Sequence, residues 1–247
     1  MKNVLIALCV LSVVSISSQV SAVPYTFSAD FSTPLFNLSE WTRVFGGTWT
    51  HTPGGAVNGV PAGAPGSSTA AIHYTNLPEI ETAGISLSAV FDPHSAGSSG
   101  IFFGASPRAG TGTSPGPDDY DRITIGIAEN SGSIYLYLSN NGAESLTQLS
   151  NVSLGMKLIL NVEVNPANVL FWEVWQDTGG TAPAALLASD DAPGITALTG
   201  LAGLYTDSGD GDFYGFTVQG NAVPAPAALL LLGSGLVGLA GWRRKTH

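Results

Sequence analysis

Between Val23 and about Gly220, apolar and polar residues alternate in short runs, each closed by Gly, Pro, Asn, Asp or Ser. Tyr25–Phe31 alternates apolar with small or polar residues, the period of two that marks a half-buried strand. Trp41–Phe45 and Thr48–His51 flank Gly46-Gly47 and predict a hairpin. Further strands are predicted at Ala70–Tyr74, Gly84–Phe91, Gly100–Ala105, Arg122–Ala128 and Ser133–Leu138. Others follow at Lys157–Val164, Val169–Trp175, Gly200–Thr206 and Phe213–Val218. Ile123–Ile127, Ile134–Leu138 and Leu158–Val164 are the clearest, reading as antiparallel strands with one face on a core.

Pro53–Ser68 and Gly110–Asp119 are rich in Gly, Pro and small residues and read as surface loops. Ala182–Ser189 has room for a turn of helix, confined by Pro183 and Pro193. No stretch of the body sustains a helical period. About a dozen strands at turn-separated spacing predict an all-β fold, a two-sheet antiparallel jelly-roll sandwich. The absence of a fixed repeat counts against a propeller or solenoid.

Composition agrees. The 31 glycines and 15 prolines supply turns, and 11 % charged residues leave a chain apolar enough to bury a core. With 247 residues there is room for one ordinary domain.

The ends differ from the body. Met1-Lys2-Asn3, the apolar run Val4–Val14 and the small-residue exit Val20-Ser21-Ala22 predict a signal peptide over 1–22. Signal peptidase would cut between Ala22 and Val23; the competing reading is a buried N-terminal helix. Cys9, the only cysteine, lies inside the run, so the mature chain would lack disulfides, thiol catalysis and cysteine metal sites. At the other end, Val223–Trp242 carries no charge and as a helix would extend about 30 Å. A transmembrane helix is expected over 227–242, with a basic tip, Arg243-Arg244-Lys245, held cytoplasmic and the body outside. The resulting organisation is signal peptide 1–22, β-sandwich 23–220 and C-terminal segment 221–247. Gly233–Gly238 fits a Gly-x-Gly-x-x-Gly string, but no strand and turn precede it, so no nucleotide loop is implied.

Charge narrows the partners. All 18 acidic residues lie between Asp30 and Asp212, against Arg43, Arg108, Arg122 and Lys157, leaving the body near −14. Such a surface excludes nucleic-acid binding, which needs a basic face.

Candidate chemistry is sparse. Asp207-Ser-Gly-Asp210-Gly-Asp212 sets carboxylates in a tight loop, an oxygen-rich arrangement that suits calcium. The same residues also read as a solvated hairpin turn. Asp118, Asp119 and Asp121 form a weaker cluster. Trp41, Trp49, Trp175 and Tyr205 have faces that could stack on sugar rings, or could fill the core instead. Trp172 and Trp175, three apart on one strand, should point to opposite faces. His51, His73 and His94 are isolated along the sequence, and a serine triad needs a base near its nucleophile, which no motif here indicates.

Two resemblances add to this reading. Asp30-Phe31, Trp41 to Trp49 with its Gly-Gly, Gly100–Gly104, Gly203–Thr206 and Asp212–Val218 resemble concanavalin A-like, laminin-G-like domains across roughly 25–220. Such domains include lectins, glycosidases and adhesion modules. Laminarinase-type members carry Glu-x-Asp-x-x-Glu on one strand, and this sequence has no such run. The C-terminal segment, Val223-Pro224-Ala225-Pro226, then Ala227–Leu236, then Gly241–Lys245, resembles the PEP-CTERM sorting signal, with Ala225 where the namesake motif has Glu. That resemblance implies an exosortase partner, cleavage near Pro224–Pro226, and a transient inner-membrane anchor in a Gram-negative bacterium that makes exopolysaccharide. The expected protein is a non-enzymatic, surface-associated or secreted sandwich of the extracellular polysaccharide matrix, binding carbohydrate. A polysaccharide hydrolase on the same fold is the alternative.

Overall fold

Along Leu158–Val164 every second side chain is buried, so Leu158, Leu160, Val162 and Val164 face inward while Ile159, Asn161 and Glu163 face out. The same alternation runs through Ser86–Pro93 and Val169–Gln176, and it builds the sandwich. The computed structural model describes residues 23–45, 47–53, 55–61, 69–94, 97–105, 122–179 and 184–222. The expected leader 1–22 with Cys9 and Ala22 lies outside them, as do Asp118, Asp119, Asp121, Val223–Pro226, the span 227–242 and the Arg243–Lys245 tip.

Among the described residues there are sixteen strands, of which β1 (Val23–Asp30), β2 (Trp41–Phe45), β3 (Thr48–His51), β4 (Val57–Val60), β5 (Thr69–Tyr74), β6 (Ile80–Glu81), β7 (Ser86–Pro93) and β8 (Gly97–Ala105) form the first half. The second half is β9 (Ile123–Asn130), β10 (Ser133–Asn140), β11 (Ala143–Gln148), β12 (Leu158–Val164), β13 (Val169–Gln176), β14 (Ala185–Pro193), β15 (Thr199–Asp207) and β16 (Gly211–Ala222). A 3-10 turn, Leu38–Glu40, is capped by the Asn37 side chain, which accepts from Ser39 N at 3.1 Å.

One sheet runs β14-β13-β12-β7-β16, and β1, β4 and β3 extend it beyond β16. The other runs β11-β10-β9-β8-β15-β5-β2. Short β6 joins them, pairing with Thr199 and Gly200 in one sheet and Ala222 in the other. The residue-by-residue registers are antiparallel, as hairpin connections allow. Two of those hairpins turn on Ser131-Gly132 and Asn141-Gly142, all four residues at positive φ, which matches the right-handed strand twist.

Between the sheets, Leu87, Phe91, Leu160, Val162, Trp172 and Val174 pack against Ile101, Phe103, Ile125, Leu136 and Leu204 in one apolar cluster. Phe213 and Phe216 are three residues apart, yet both are buried. A bulge between Phe213 and Gly215, with Tyr214 as the extra residue, returns both rings to the inner face. Phe213 then stacks on Phe91 at 5.6 Å.

Some strands depart from the sequence expectation: Trp41–Phe45 and Thr48–His51 do not pair as a hairpin, because the first finds β5 in one sheet and the second finds β4 in the other. Val57–Val60 is a strand inside the expected loop 53–68, paired with β3 on one side and β16 on the other. Ala185–Pro193 is an edge strand rather than a helical turn, because its backbone finds β13 as a partner. Ala143–Gln148 is an exposed edge strand with no alternation to betray it.

Candidate functional site

The outer face of the β14-β13-β12-β7-β16 sheet is where polar and aromatic side chains meet solvent. Strand β13 sends Leu170, Trp172 and Val174 into the core and Phe171, Glu173 and Trp175 outward. The indole Nε1–H of Trp175 donates to Glu173 Oε2 at 2.9 Å, which holds the half-buried ring in place. Register sets three rows across this face. Trp175 stands between Leu186 and Ile159, with Val90 next. Glu173 stands between Ser189 and Asn161, followed by Ser88 and Thr217, whose hydroxyl lies 3.2 Å from Ser28 Oγ. Phe171, 43 % exposed, stands between Asp191 and Glu163, with Ser86 next. Aromatic and aliphatic surface thus alternates with hydrogen-bonding groups, the chemistry a sugar ring requires of a binding face.

At the other end of the same sheet, Asp92 on β7 lies directly opposite Asp212 on β16. Both reach His94 Nε2, at 3.6 and 3.3 Å, and Asp210 Oδ2 lies 3.9 Å from His94 Nδ1. Asn58 Nδ2 donates to Asp212 Oδ1 at 2.8 Å, tying β4 to the cluster. Burial pushes the Asp92 carboxyl above the usual range; His94 opposes this and the Asp212 charge adds to it. Close by, Lys157 Nζ pairs with Asp177 at 2.8 Å and lies 4.2 Å from the Tyr214 ring centroid. Tyr214 is raised by burial first, then by Asp212 and Asp92.

The sequence candidates separate clearly on this frame. Trp41, Trp49 and Tyr205 are 8, 3 and 2 % exposed, so they fill the interior and cannot stack on a ligand. Trp41 meets Phe31 edge to face at 5.3 Å, Trp49 packs on Phe213, and Tyr205 joins Phe102 and Ala71 in a second buried cluster. Trp175 is the candidate that stays accessible. The calcium candidates are divided: Asp210 and Asp212 turn onto His94, while Asp207 ends β15 opposite Ser98 and accepts from Ser208 Oγ at 3.3 Å. Among the described residues no group of three or more His, Cys, Asp or Glu side chains is arranged to hold a metal ion. His51 and His73 each bond a backbone carbonyl, of Phe31 at 2.9 Å and Tyr74 at 2.8 Å, which are structural roles.

Phe171 and Asp191 carry no signal in the sequence, and Glu163 reads there only as an acid within a strand, because strand register alone reveals that the three share a face. Asp92 and His94 were likewise invisible as partners of Asp210 and Asp212, more than a hundred residues away.

Fold and face together define a concanavalin A-like, two-sheet β-sandwich. Residues 222–245 match the family described as the PEP-CTERM protein-sorting motif, so the chain carries behind this sandwich a signal for exosortase sorting, the mark of an exported protein. Curated proteins provide no match. Among solved structures, the metal-free VIP36 exoplasmic/lumenal domain aligns with a TM-score of 0.50 and 13 % identity over 80 % of this chain and 97 % of that one, and it shows the shared fold. Carbohydrate binding module CBM66 from Bacillus subtilis aligns at 0.45 and 16 % identity, over 70 % of this chain and 91 % of that one. A protein of unknown function from Shewanella oneidensis MR-1 aligns at 0.49 and 13 % identity, over 88 and 95 %.

Proposed function

We propose that this protein is a non-enzymatic component of the extracellular polysaccharide matrix, delivered to the cell surface or released, and that it binds carbohydrate on the outer face of β13, β12 and β7. The observation that carries this reading is the accessible Trp175 ring, fixed by Glu173 and flanked by Ile159 on one side and Leu186 on the other. A preorganised aromatic face beside hydrogen-bonding rows loses little freedom on binding. In this reading signal peptidase removes 1–22 after Ala22, residues 227–242 span the inner membrane transiently, Arg243, Arg244 and Lys245 stay cytoplasmic, and exosortase cuts near Pro224–Pro226.

The test is binding of the exported protein to an array of polysaccharides. Retention of at least one glycan, lost on Trp175→Ala, is the expected result; no retention of any glycan sinks the reading. Mass spectrometry of the exported protein should find a C-terminus near Val223. Intact Arg243–Lys245 on most of that material would defeat the processing step.

One observation favours the hydrolase alternative: Asp92 and Asp212 face each other across neighbouring strands, as an acid and its partner would. Against it, Asp92 Oδ1 is buried without a hydrogen-bond partner and His94 lies within 3.6 Å of both carboxylates, so both acids are turned onto the histidine. Release of reducing ends from a polysaccharide, abolished by Asp212→Asn, would establish the alternative.

A further inference from the structure

The carbohydrate-binding reading leaves open which glycan, and the charges around the aromatic side chains answer part of that. Phe171 is 43 % exposed and stands directly between Glu163 on β12 and Asp191 on β14. Glu173 follows two residues on, with Oε2 taken by the Trp175 indole. Three acidic side chains therefore line the track that runs from Phe171 to Trp175. The basic residues among those described are Arg43, Arg122 and Lys157. Arg43 belongs to β2 of the opposite sheet, Arg122 is buried just before β9 of that sheet, and Lys157 is paired with Asp177 at 2.8 Å. Nothing basic in the rows described offsets the acids along the track.

This pattern discriminates between glycans. An anionic polysaccharide would bring like charge against Glu163, Glu173 and Asp191 and be repelled. A neutral one would stack on the rings and donate hydroxyl hydrogen bonds to the carboxylates, but would bring no charge of its own to pair with theirs. A sugar bearing a free amine gains both, because its ammonium donates charge-assisted hydrogen bonds to carboxylates and is attracted to aromatic faces. Phe171 and Trp175 are four residues apart, roughly 14 Å along a strand, so one sugar ring cannot touch both. We infer that the ligand is a polymer of amino sugars with free amines, lying along β13. Phe171 and Trp175 are its stacking anchors, and Glu163, Glu173 and Asp191 accept from its ammonium groups.

The inference rests on the carbohydrate-binding reading, and the experiment separates the two. Binding of the exported protein is measured by calorimetry with short oligomers of glucosamine, N-acetylglucosamine and glucose that share one linkage. Glucosamine oligomers should bind at least about tenfold more tightly than the other two, the preference shrinking as salt is raised. The exposed pair Glu163→Gln and Asp191→Asn should remove that preference while leaving the melting temperature in place, and Trp175→Ala should weaken all binding. Equal affinity for the three oligomers, or a preference that survives the Glu163 and Asp191 changes, overturns the inference and leaves carbohydrate binding standing. Binding of none of them, with every polysaccharide on the array also refused, overturns both.

Discussion

Trp175 donates its indole N–H to Glu173 Oε2 at 2.9 Å, from the same face of the same strand. One hydrogen bond thus decides how an accessible aromatic ring is presented. Trp175 is half-buried, so Trp175→Ala should lower the melting temperature through lost packing, leave the protein folded, and raise the Kd for a bound glycan about tenfold or more. Glu173→Ala frees the ring to rotate and should weaken binding by a smaller factor. Calorimetry paired with thermal melts checks both; unchanged affinity in Trp175→Ala would show that the glycan sits elsewhere.

Asp92 behaves differently. Burial raises its folded pKa above the unfolded value, so the unfolded chain gives up this proton more readily than the folded one. Stability is therefore lost as pH rises from the ordinary carboxylate range through the folded value. Asp92→Asn removes that loss. It should raise the melting temperature at neutral pH, with the gain fading as pH falls below the carboxylate range. Denaturant midpoints across pH test this, and an equal destabilisation at every pH would refute it.

Lys157 and Asp177 supply the opposite sign. The hydrogen bond from Lys157 holds the Asp177 carboxyl below its usual range, helped by Gly179 N–H at 3.0 Å. The contribution is present above the unfolded carboxylate value and disappears as pH falls through the folded one. Because Lys157 is 37 % exposed, Lys157→Met should cost only about 0.2–1 kcal/mol at neutral pH, less in high salt. Urea unfolding at two salt concentrations measures it.

Gly203 sits where β15 passes β5 with no space to spare. A Cβ there would lie 2.1 Å from Ile72 O and 2.8 Å from the Phe102 ring. Backbone cannot yield as a flexible side chain can, so Gly203→Ala should cost about 1–3 kcal/mol or more and lower the denaturant midpoint. Gly132, with nothing within 4 Å of its would-be Cβ, is a control for crowding, although its φ of 82° brings strain of its own.

Much of the fold was legible because local chemistry repeats it. Leu158–Val164 and Val169–Trp175 alternate cleanly, since each is covered on one face and wet on the other. Strands at edges or in crowded turns were not legible. Val57–Val60 hides among glycines and prolines and exists because β3 and β16 accept its backbone bonds. Ala143–Gln148 is exposed along its whole length, so no buried side writes a period into it.

By itself the sequence determined the all-β class, the acidic body, the C-terminal sorting signal and the placing of Trp172 and Trp175 on opposite faces of one strand. Those depend on composition and on a two-residue period, both local properties. Tertiary structure decided which aromatics are accessible, since Trp41, Trp49 and Tyr205 disappear into contacts with partners far away in sequence. It also decided that Phe171 stands between Glu163 and Asp191, and that Asp92, His94, Asp210 and Asp212 meet. Register between strands is set by the packing of whole sheets, where a shift of one residue would turn every side chain to the other face.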